Sequence, residues 1–359
     1  MRFQSLAVLF LVVETFGAET IPTSSSVVAH EWGTFTSVAN LEGNPVTWFA
    51  LGGPSKLPCF VHQSDLVTKN NAYTTVRMET PVIYFYAARK AVLSVGVSFP
   101  NGRITEWYPQ ASSWPASRIE WGSVEVLPGE DLPFPSGGEG NHYYAARATD
   151  SAPLRIGKER EKLLFYRGVG DIEVPVRPKF AADGKIQIRN ASAHPVPAAI
   201  VFENRGGMTG FRAIRDLREA VQVDPPELDG DVNSVRGQLA DELVHAGLYP
   251  KEAQAMLDTW RESWFEEGLR VIYIVPRATV DTALPLEIRP APAEVARVFV
   301  GRVEMLSPAR AREIESAAAT RDRAVLAKYG RFLEAFWMQR IAAPLPAELR
   351  LYQSGGCAK

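Results

Sequence analysis

The sequence predicts a β-rich α+β protein in which antiparallel, sandwich-like sheets carry a helical hairpin and a long C-terminal helix. Three observations predict this class. Short apolar runs alternate with polar residues from position 27 to about 214, the period of half-buried strands. After Asp216 the apolar spacing lengthens to that of a helix. A hydrophobic content of 46% over 359 residues supplies a core for one large or two ordinary domains.

In the first stretch, strands are expected at 82–86, 119–126, 142–148, 163–166, 186–189 and 199–203. The run Val95, Val97, Phe99, then Pro100-Asn101-Gly102, then 103–108 reads as a tight hairpin, because Asn-Gly readily adopts the positive φ angles of such a turn. Asp183-Gly184 marks another turn. Gly168-Val169-Gly170 lacks the third glycine and following helix of a dinucleotide-binding loop and is also expected to be a turn.

Beyond Asp216, Val235, Leu239 and Leu243 recur every four residues, Gly247 ends that helix and Pro250 opens the next. Ala253, Met256, Leu257, Trp260 and Trp264 form the stripe of the second helix, giving a hairpin over about 234–267. Buried strands follow at 269–275 and 297–303. Ser307-Pro308 then starts a helix over about 308–340, with Val325, Tyr329, Phe332, Phe336 and Trp337 on one face.

The N-terminus sets the compartment. Arg2, an apolar run at 6–13 and the small residues Thr15 and Gly17 have the order of a secretory signal peptide, cleaved after Gly17. The run is too short to span a bilayer, so no stable membrane span is expected after cleavage, and the site of action is periplasmic or extracellular. The domain reading is therefore a leader at 1–17, a β-rich region at 18–215 and a mixed region at 216–359. Loss of Arg2 and Glu14 with the leader leaves the net charge at −2; without a basic excess, nucleic acid is excluded as a partner. Export permits one disulfide, Cys59 to Cys357, and two unpaired thiols are an equal alternative.

Four groups of residues carry candidate chemistry. His30, in His30-Glu31-Trp32-Gly33-Thr34-Phe35, and His142, in Asn141-His142-Tyr143-Tyr144, are the nitrogen donors for a divalent metal; the competing account is two structural histidines. Glu79 and Glu106 lie in aromatic-flanked strands and are the acid pair a glycoside hydrolase would need, or else partners of Arg77, Arg103 and Arg147. Trp32, Trp107, Trp114 and Trp121 belong to a cluster in the first third of the mature chain, as a sugar-stacking cleft or as core. Asp229, Asp231 and Asn233 begin like a calcium loop, but Ala240 stands where the bidentate glutamate is required, so this is a polar loop ahead of a helix.

The segments 30–38, 77–86, 104–109, 142–150, 165–170 and 264–276 together resemble an uncharacterised family of exported bacterial proteins, over about 29–304. The resemblance implies an envelope or extracellular setting and brings no activity or catalytic residues with it. The expected function is an exported, envelope-associated binding module for carbohydrate or protein, with a metal-dependent or acid/base hydrolase as the alternative.

Overall fold

The computed structural model describes residues 26–52, 57–64, 73–137, 141–341 and 343–350; the expected leader and Cys357 lie outside them. No described cysteine is free. The chain forms β1 (Val27–Val38), β2 (Trp48–Phe49), β3 (His62–Gln63), β4 (Tyr73–Thr74), β5 (Val76–Ala87), β6 (Ala91–Ser98), β7 (Gly102–Tyr108) and β8 (Arg118–Val126), then a 3-10 turn at His142–Arg147. It continues through β9 (Leu154–Ile156), β10 (Glu159–Glu161), β11 (Leu164–Gly170), β12 (Val176–Phe180), β13 (Ile186–Asn190), β14 (Val196–Arg205), β15 (Met208–Leu217) and β16 (Ala220–Val223). Helices α1 (Val232–His245), α2 (Pro250–Thr259) and α3 (Arg261–Trp264) precede β17 (Gly268–Ile274), α4 (Arg277–Ala283), β18 (Leu286–Arg289) and β19 (Glu294–Met305). The last described helices are α5 (Pro308–Thr320), α6 (Arg323–Ala327) and α7 (Leu333–Arg340).

A nine-stranded sheet, in the order β15-β14-β17-β19-β1-β5-β11-β7-β3, organises everything else. Strands from both sides of residue 215 belong to it. One face packs on a five-stranded sheet, β10-β9-β8-β6-β18, and on a three-stranded sheet, β12-β13-β16: Met78, Phe85 and Phe299 meet Val97, Trp121 and Ile188 there. The opposite face is covered by the helical hairpin, with Trp32, Tyr84 and Ile272 against Leu243, Met256 and Trp264. Each fully buried side chain of this size contributes roughly 1.5–3 kcal/mol by leaving water. Helices α5–α7 close one end, burying Phe332, Phe336 and Trp337 with Val38 and Trp48. The molecule is thus β-rich α+β, with stacked sheets and a helical layer. Among the described residues, no helix is long and apolar enough to cross a membrane.

Five local expectations are corrected. The strands of the expected hairpin at 95–108 do not pair: β6 lies in the five-stranded sheet and β7 in the large one. Phe99 O accepts the Gly102 N–H at 3.0 Å, but neither Asn101 nor Gly102 has a positive φ, so the turn lacks the twist that keeps hairpin strands together. Residues 142–147 form a 3-10 turn because the Asn141 side chain accepts the Tyr143 N–H and a three-residue period turns Tyr143 and Ala146 inward. Gly168-Val169-Gly170 is strand, where a Cβ on Gly168 would stand 2.3 Å from Arg103 O of the neighbouring β7.

The expected long C-terminal helix is broken at Arg321, with φ 57°, and again near Gly330, with φ 50°; Asp322 caps the new start at α6 by accepting the Val325 N–H. Lastly, the large sheet is mixed, since β1 and β19 run parallel from Val28↔Glu294 to Val38↔Glu304. No turn joins these strands, so burial of both faces, and not a hairpin, decides their direction.

Candidate functional site

Alternation along β5 breaks once, and the break builds the site. Val76, Met78, Ile83 and Phe85 face the small sheets, whereas Val82 and Tyr84 face the helices. Strict period 2 cannot satisfy both sets. Trp32 pairs with Val82 and Thr34 with Glu79, so Thr80 and Pro81 together oppose the single residue Gly33. This β-bulge returns Arg77 and Glu79 to the helical side. Thr80 carries it at φ 49°, a left-handed conformation unfavourable for a β-branched residue. A Cβ on Gly33 would sit 2.6 Å from the Phe299 ring, so the bulge needs glycine opposite it. The pairing of β11 with β7 slips beside it, leaving Thr105 extra between Ile104 and Glu106.

Between the bulged strands and the helices lies a cavity of about 310 Å³, at the small end of the range for small-molecule sites. Its floor carries Arg77, Glu79 and Arg167; α2, α3 and the following loop supply Thr259, Trp260, Glu262, Ser263 and Glu266; the turn at 142–147 adds His142 and Tyr143; and Arg331 reaches in from the C-terminal layer. Trp260 stacks on Trp264 at 6.3 Å, which gives one wall a rigid aromatic surface.

The electrostatics are cationic at the floor. Arg331 donates to Glu79 Oε1, and Arg77 Nε lies 3.3 Å from the same oxygen. Burial alone would raise the Glu79 pKa, but Arg331, Arg77, Arg167 and Arg302 outweigh it and hold the carboxyl down at about 2. Burial and the neighbouring Arg167 push Arg77 down to about 9 against the pull of Glu79. Arg167 is 7% exposed, and its Nη1 lies 3.8 Å from Glu106 Oε1. Its Nε and Nη1 have no hydrogen-bond partner among the described residues, and neither has the indole N–H of Trp260. Leaving such donors buried and unpaired costs about 1–3 kcal/mol each.

The expected site residues are scattered by comparison. Glu79 lines the cavity, while Glu106 lies beneath it on β7, fully buried and accepting from Thr105 Oγ1. His142 lines the cavity with Nε2 2.8 Å from Glu262 Oε2. His30 is sealed elsewhere under α2: Nδ1 is 2.8 Å from Glu252 Oε2, and the ring packs on Tyr86 and Tyr249. The two histidines thus have separate carboxylate partners, and the described residues contain no group of three or more His, Cys, Asp or Glu placed to hold a metal. Trp32 and Trp121 are fully buried in different layers. Trp107 is buried against the half-exposed Trp114, at 5.4 Å, and neither lines the cavity.

Sequence reasoning did not single out Arg167, Arg331, Ser263 or Trp260 as a site. The one available signal was Pro81 inside an otherwise uninterrupted strand, which marks a bulge. No protein-family model and no curated protein matches the chain.

Proposed function

We propose that this protein is an exported, envelope-associated or extracellular binding module whose ligand is a small carboxylate-bearing molecule, an acidic sugar being the class that fits best. The observation that carries the reading is the cationic lining: Arg167, 7% exposed, lines the cavity together with Arg77 and Arg331 beside the aromatic wall of Trp260. Guanidinium donors match a carboxylate in geometry and charge, and the Trp260 ring offers an apolar face to a sugar. The acid/base form of the hydrolase alternative, with Glu79 as the acid, loses support at the same place, because a Glu79 carboxyl held at about 2 does not donate a proton near neutrality. Ligand-observed NMR with D-galacturonate and D-glucuronate, against the uncharged D-galactose and D-glucose, tests the reading. Saturation transfer to the acids and not to the neutral sugars is the expected result. Equal transfer to both, or none to the acids, would overturn it.

A further inference from the structure

The cavity holds one imidazole, and its partner decides what the ring can do. Glu262, from α3, meets His142, from the turn at 142–147, with Oε2 2.8 Å from Nε2. A carboxylate accepts and does not donate, so in the neutral ring Nε2 carries the hydrogen and Nδ1 the lone pair. The turn that holds the ring is itself fixed by the Asn141 side chain, which accepts the Tyr143 N–H at 2.9 Å. Glu262 is exposed and His142 only partly buried, which puts the pair at the mouth, above the arginine floor.

We propose that His142 is the acid–base catalytic residue of a β-elimination on a uronate whose carboxylate is held by Arg77, Arg167 and Arg331, with Glu262 as its positioning residue; this rests on the carboxylate-binding reading above. The guanidiniums neutralise the carboxylate, so the charge that develops on it when the adjacent carbon loses its proton is stabilised where it forms. His142 Nδ1 takes that proton. The C–O bond at the next carbon breaks, its electron pair leaves with the oxygen, and a C=C bond forms between the two carbons. The imidazolium then returns the same proton to the departing oxygen. One C–H and one C–O bond are exchanged for one O–H bond and a carbon–carbon π bond, and no water, metal or oxidant enters the balance.

Elimination suits this cavity better than hydrolysis. Cleaving a glycoside with water takes a proton-donating carboxyl and a second carboxylate, whereas Glu79 is held ionised by its arginines. Tyr143 is no alternative base: burial and Glu161 push its hydroxyl well above the usual range, and it already donates to Glu161. A single residue that removes and returns one proton is sufficient for elimination. The volume admits about one sugar residue, so the leaving sugar extends through the mouth, past His142.

The test uses the full mature protein with 4-linked di- and trisaccharides of galacturonate, glucuronate and mannuronate, following the ultraviolet absorbance of the unsaturated product. Wild-type protein is expected to form it, His142→Ala to lose about 100-fold or more in rate, and added imidazole to restore part of that loss. The same variant should bind D-galacturonate within about threefold of wild type, which separates a catalytic loss from a folding defect. Glu262→Gln should lower the rate less and move the pH profile. If wild-type protein binds uronate but forms no unsaturated product from any of these substrates, or if His142→Ala retains full rate, the elimination is overturned while the binding reading stands. Failure to bind uronate at all removes both.

Discussion

Arg270 and Arg302, on β17 and β19, are buried on the same face of the same sheet as Arg77 and Arg167, on β5 and β11, yet the two pairs are satisfied to different degrees. Arg270 gives Nε to Glu304 at 2.8 Å and its other nitrogens to the carbonyls of Trp264, Glu266 and Glu267. Arg302 gives Nε to Glu304, Nη1 to Ser263 and Nη2 to Glu266. Every nitrogen of these two guanidiniums has a partner. In the other pair, Arg77 Nε and both Nε and Nη1 of Arg167 lack a hydrogen bond among the described residues. The difference teaches how one sheet face serves two ends: the saturated pair pins the end of α3 to the sheet, and the less saturated pair lines the cavity.

Breaking the saturated side should have the largest effect. Glu304→Ala removes the shared carboxylate of two fully buried cations and should destabilise the fold by about 3–5 kcal/mol, read from urea denaturation. A loss below about 1 kcal/mol would show that the cluster is not the anchor described. The unsaturated side carries a pH signature of intermediate size. Glu79 has a folded-state pKa depressed from 4.5 to about 2, so its stabilising contribution is complete above about pH 4.5 and is lost as pH falls towards about 2. Glu79→Gln should flatten stability against pH across that window; an unchanged slope would contradict the ionised carboxylate. The smallest effect belongs to Trp114, half exposed and away from the cavity: Trp114→Ala should change stability by no more than about 0.5 kcal/mol and leave uronate binding unaltered. Loss of binding in that variant would restore the tryptophan cluster as the ligand surface.

Much of the scaffold was legible because it rests on periodicity. The stripe of Leu239, Leu243, Met256 and Trp264 does form the core of a helical hairpin, and the alternation in β13 and β14 does build sheet. Errors arose where one residue overrides the period. Asn141 offers its own cap to a segment patterned like a strand, Phe99 folds over Gly102 and splits an apparent hairpin, and Arg321 stops a helix in an unbroken helical pattern. The site was less legible still, because its residues come from β5, β11, the turn at 142–147, α2, α3 and the C-terminal layer. Local sequence holds no record of such convergence. Glu79 and His142 stand out in the sequence, but paired with Glu106 and His30 and not with each other, and nothing near Phe165 or Gly330 indicates that Arg167 and Arg331 close on the same space.

Titration calorimetry of D-galacturonate into wild-type protein and Arg167→Met tests the central claim most directly. The variant keeps an apolar stem and deletes the guanidinium. It should lose about 30-fold or more in affinity and also some stability, because the buried Glu106 loses the guanidinium 3.8 Å away, so the two proteins are compared where both are folded. Undiminished affinity in folded Arg167→Met would contradict the account.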